Sequence, residues 1–104
     1  MRMLIDFEMP LEPFNTLVKK GTAGEIMEQI LADLKPEAAY FTARGGKRGG
    51  TFVLDVADAS KIPAVAEPLF LHFNANVTLL PCMTPEELGK ANLKQLGQKY
   101  GRSS

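Results

Sequence analysis

The chain of 104 residues suits one domain and leaves no room for a second core. Hydrophobic residues make up 45% and charged residues 23%, an ordinary balance for a folded domain of a size for which dimerisation is a natural way to bury more surface. Twelve basic residues cancel twelve acidic ones, which argues against nucleic acid as a partner, because phosphate neutralisation needs a basic excess or stripe.

Arg2 to Met9 alternate, with Met3, Ile5, Phe7 and Met9 on one side and Leu4, Asp6 and Glu8 on the other. This period of two predicts a strand with one buried face. Phe14, Leu17, Val18, Met27, Ile30, Leu31 and Leu34 then fall at helical spacing. Gly21 interrupts the run, so one kinked helix or two short ones satisfy it, with Thr22 and Glu25 as a capping box for the second part. Ala38–Arg44 and Thr51–Val56 read as short strands, joined by a flexible six-residue connection, Gly45–Gly50.

Asp58 or Ser60 caps a second helix running to about Asn74. Pro63 suits its first turn, and Pro68 is expected to kink it or delay its start. Ala75–Met83 is a fourth strand. Thr84-Pro85-Glu86-Glu87 is a strong helix start, for a last helix reaching about Tyr100 and stopped by Gly101, with Arg102–Ser104 frayed. The default for this helix, with Leu88, Ala91 and Leu96 on one side and Lys90, Lys94 and Lys99 around them, is docking on its own subunit. The order β-α-β-β-α-β plus a helix is that of an α+β, ferredoxin-like sandwich.

The alternation divides the sheet into two faces. Met3, Ile5, Phe7, Phe41, Phe52, Leu54, Val77 and Leu79 suit a helix-covered core. The other parity carries Leu4, Asp6, Glu8, Tyr40, Thr42, Arg44, Thr51, Val53, Asp55, Thr78, Leu80 and Cys82. Such a face is open to water, or packs against a second subunit with Arg44 paired to Asp6 or Asp55, or lines a small-molecule pocket. In the last case Asp6, Tyr40, Arg44 and Asp55 supply donors and acceptors between apolar walls.

Other candidates are weaker. Gly45–Gly50 lacks the phosphate-loop pattern and no helix follows it, so a mobile hairpin tip is the better reading. His72, the single histidine, suits proton transfer if it reaches a cavity, and otherwise faces solvent or packs. Cys82, the single cysteine, excludes an internal disulfide and has no evident base beside it. Met27, Met83 and the phenylalanines read as core filling. No metal site or cofactor is expected. No segment has the roughly 20 apolar residues of a membrane span, and the early Asp6 argues against a secretion signal, so a cytoplasmic location is expected.

The segments LKPEAAYF (Leu34–Phe41), IPAVAEPLF (Ile62–Phe70) and NANVTLLPCMTPEELGKA (Asn74–Ala91) resemble a family of uncharacterised proteins of about this length. That family is similar in fold to the dimeric α+β barrel superfamily, which includes muconolactone isomerase-like and antibiotic-biosynthesis-monooxygenase-like proteins. The resemblance implies a homodimer with two four-stranded sheets facing each other, and implies no particular reaction. The leading expectation is a small-molecule-binding protein or cofactor-independent enzyme with its pocket on the polar sheet face. The alternative is a non-catalytic dimeric regulatory or interaction module.

Overall fold

Strand β1 (Arg2–Met9) alternates between half-buried and buried positions along its whole length, as its period-two sequence dictates. The computed structural model describes residues 1–101. After β1 the chain forms α1 (Leu11–Lys20), α2 (Ala23–Leu34), β2 (Ala38–Arg44) and β3 (Lys47–Asp55). A 3-10 turn at Ala59–Lys61 leads into α3 (Ile62–Phe73), followed by β4 (Asn76–Pro81), α4 (Pro85–Gly89) and α5 (Leu93–Tyr100). The fold is α+β, with one four-stranded antiparallel sheet in the order β2-β3-β1-β4.

Register places the core on one face. Ile5 lies between Phe52 and Leu79, and Met3 lies beside Leu54. Ile30 of α2 and Val65, Leu69 and Phe73 of α3 cover this row. Each fully buried side chain, among them Phe7, Phe52, Phe73, Ile5 and Leu69, contributes about 1.5–3 kcal/mol by leaving water. On the opposite face the side chains of β1 stay half-exposed.

Several details depart from the sequence reading. Gly21 does divide two helices, but the Thr22–Glu25 capping box does not form. The backbone of Thr22 is already helical, and its hydroxyl donates to the Leu17 carbonyl instead. The flexible connection shrinks to Gly45 and Gly46, whose positive φ angles of 55° and 80° fit a two-residue hairpin turn. Lys47–Gly50 belong to β3. Gly50 is there for close approach: a Cβ would sit 2.4 Å from the Tyr40 carbonyl oxygen and 2.8 Å from Cζ of Phe7. The hydrogen atom lets the rings of Phe7 and Phe41 meet with centroids 6.3 Å apart.

Asp58 accepts the Ser60 N–H and caps the turn before α3. α3 runs through Pro68 as one element, so this proline does not delay its start. β4 is shorter than expected, ending at Pro81.

The last helix is two helices. Thr84 and Glu87 form the expected reciprocal cap, with Thr84 Oγ1 accepting at 3.1 Å and Glu87 Oε1 accepting at 3.0 Å. Asn92 then turns left-handed at φ 55°, its amide donating to Gln95, and separates α4 from α5. Neither helix has a buried residue, and neither makes an extensive contact with a strand or helix of the domain. The expectation that this segment docks on its own subunit is therefore corrected. Met83 is exposed rather than core filling, whereas Met27 packs against the core. The arm makes the molecule long, 63 × 29 × 20 Å, with a radius of gyration of 17.9 Å against about 13 Å for a compact chain of this length. Arg102–Ser104, expected to fray, lie outside the described residues.

Candidate functional site

The open sheet face is built from rows that cross the strands. One row is apolar: Leu80 of β4, Leu4 of β1, Val53 of β3 and Ala38 of β2 stand side by side. The next row is polar, with Thr78, Asp6, Thr51 and Tyr40 in the same order. Tyr40 and Leu80 stay 67% and 50% exposed, large surfaces on this open face.

Arg44, at the end of β2, reaches across β3 to Asp6. Its guanidinium holds both carboxylate oxygens at 2.7 Å. Thr51 Oγ1 donates to Asp6 Oδ1 at 3.2 Å and accepts from Arg44 Nη2 at 3.4 Å, closing a three-membered cluster. One row further, Lys47 Nζ stands 3.8 Å from Glu8. Asp6, Glu8, Arg44, Asn76 and Thr78 border an open depression of about 200 Å³.

The Arg44 hydrogen bonds hold the Asp6 carboxyl below the usual carboxylate range, outweighing its partial desolvation. The same pairing raises Arg44. Asp6 is therefore a fixed negative acceptor at neutral pH. Acid–base catalysis favours a group titrating near the working pH, and Asp6 is shifted away from it.

The structure brings together Asp6 and Arg44, and places Tyr40 in the same row as Asp6. Asp55 stands apart. It opposes Arg2, four residues along β1 from Asp6 and so about 13 Å away, and pairs with the Met1 amino group at 2.9 Å. Of the two partners expected for Arg44, Asp6 is the one found and Asp55 is not. His72 lies on the other side of the sheet. It is exposed on α3, at a groove between α2 and α3, because α3 covers the core face. Asp55 and His72 thus lie apart from the Arg44–Asp6 pair. Cys82 is half-buried at the end of β4, where its N–H bonds the Arg2 carbonyl.

Sequence reading did not single out Thr51, although it stood on the polar parity. Its directly opposed position to Asp6 is a matter of the register between β1 and β3, two strands far apart in the chain. It also passed over Arg2, which bonds Glu37 ahead of β2 and Glu87 of α4 and so ties the start of the arm to the sheet. Among the described residues, no three His, Cys, Asp or Glu side chains gather as a cation site. No helix among them is long and apolar enough to cross a membrane. No family model and no curated protein matches the sequence.

Proposed function

We propose that the chain is a small-molecule-binding protein that works as a homodimer, with its open sheet face as one wall of the binding chamber. In this reading the order β2-β3-β1-β4 is that of a ferredoxin-like sandwich, and two copies form a dimeric α+β barrel in the cytoplasm. The observation that carries the proposal is the apolar row Leu80–Leu4–Val53–Ala38 beside the Asp6–Arg44–Thr51 cluster. A second copy laid on the apolar row removes it from water and encloses the polar cluster, giving apolar walls with a few convergent polar groups. The ligand is a small polar molecule, met by the free guanidinium edge of Arg44, the Tyr40 hydroxyl and the Thr78 hydroxyl. The low-titrating Asp6 favours binding over proton transfer.

A second reading, a dimeric interaction module without ligand, draws on the saturation of Asp6 by Arg44 and Thr51 within one chain. Light scattering at several concentrations, followed by a thermal-shift screen of small metabolites on the wild type and on Arg44→Ala, decides between them. A dimer stabilised by a compound that Arg44→Ala no longer responds to supports the binding protein. Dissociation of the Arg44→Ala dimer with no responding compound supports the interaction module, and a strict monomer overturns both.

A further inference from the structure

We infer that the C-terminal arm docks on a second copy of this chain, with α5 lying in the groove between that copy's α2 and α3. Three independent properties of the two surfaces match.

The first is apolar character. Leu93, Leu96 and Tyr100 fall at i, i+3 and i+7 and form one stripe along α5. They are 59%, 44% and 74% exposed, and an eight-residue helix does not hold itself in water without such a stripe being covered. The groove offers Ile26, Pro68 and Leu71, the last 78% exposed, around a volume of about 560 Å³.

The second is charge. Lys94 and Lys99 flank the apolar stripe of α5 on its two sides, and among the described residues neither has a carboxylate partner. The rim of the groove carries Glu25, Asp33 and Glu67 and no lysine or arginine. Glu25 and Glu67 have no cation within the chain among the described residues. Unpaired charges of opposite sign on two exposed surfaces give orientation and selectivity to an association.

The third is length. Eight residues of α5 span about 12 Å, and the stretch of α2 from Glu25 to Asp33 that borders the groove spans the same about 12 Å. The arm projects away from its own domain, so the groove it meets belongs to another molecule. Reciprocal exchange of two arms closes a two-fold pair. This contact does not require the sheet faces to meet.

The test uses two charge-reversed full-length chains, Lys94→Glu/Lys99→Glu and Glu25→Lys/Glu67→Lys. All four positions are exposed, so both variants keep the fold. Sedimentation over a range of concentrations reads the dissociation constant of the pair. Each variant alone is expected to dissociate at a concentration about tenfold higher than the wild type, from charge repulsion at both contacts. An equimolar mixture restores wild-type association, because every arm in the mixed pair then meets a groove of opposite sign. A wild type that stays monomeric, variants that associate like the wild type, or a mixture no tighter than its components each overturns the inference. Leu80→Asp, on the sheet face, keeps arm-to-groove association separable: it leaves the charge-reversal pattern intact even where it abolishes ligand binding.

Discussion

Replacing Gly50 by alanine tests whether close approach, rather than flexibility, explains the glycines of β3. The added Cβ meets the Tyr40 carbonyl oxygen at 2.4 Å and the Phe7 ring at 2.8 Å. The first neighbour is backbone and cannot swing aside, and the second is a ring fixed between Phe41 and Phe52. Overpacking of this kind costs about 2–3 kcal/mol, since β2 and the Phe7 ring must both shift. With a urea slope of about 2 kcal/mol per molar, the midpoint falls by about 1–1.5 M. Gly45→Ala is the matched control. Its φ of 55° strains an alanine, but nothing lies within 4 Å, so it loses only about 1 kcal/mol. Displaced β2 also carries Tyr40 and Arg44 away from Asp6. A Gly50→Ala midpoint within about 0.3 M of the wild type would refute the reasoning.

Three further outcomes are expected. Asp6→Asn lowers stability at pH 7 but not in acid. The carboxyl titrates below its ordinary value of 3.8 in the folded chain, so its contribution is full above about pH 4 and is lost as pH falls through the folded value. Wild-type and variant urea midpoints therefore converge as pH drops below 4. Leu80→Asp, on an exposed position, changes the stability read by urea denaturation little, within about 0.5 kcal/mol, yet abolishes the thermal-shift response to a compound held in the proposed sheet-face chamber. Leu69→Ala, at a fully buried position on the core side of α3, costs about 2–5 kcal/mol and is read by the same denaturation assay.

The faces of the sheet were legible because β1 alternates without a break, and a period of two leaves no freedom in which side chains share a face. The same alternation placed Asp6, Tyr40 and Arg44 on the open side. It did not separate Asp55 from them, because parity says nothing about distance along a strand. Its distance from Tyr40 and Arg44 follows from a two-residue turn hidden inside six residues that all look flexible, and its distance from Asp6 follows from the long-range pairing of β1 with β3. The split of the last helix was illegible for another reason: a single asparagine, which a helix interior also tolerates, does not announce the left-handed turn that Asn92 makes between the two helices. The free arm was missed because apolar spacing predicts a covered stripe and is silent about which molecule covers it.

β2 is an outer strand of the sheet, and one of its margins presents unpaired backbone groups to any chain that approaches. Its middle, Tyr40-Phe41-Thr42-Ala43, is uncharged and rich in strand-forming residues, bounded by Glu37 before it and Arg44 after it. Arg44 thus sets a charge at the end of this stretch, and charges on an edge strand discourage edge-to-edge growth. Loss of its charge lengthens an uncharged margin, and fibril formation by Arg44→Ala at high concentration is the expected sign.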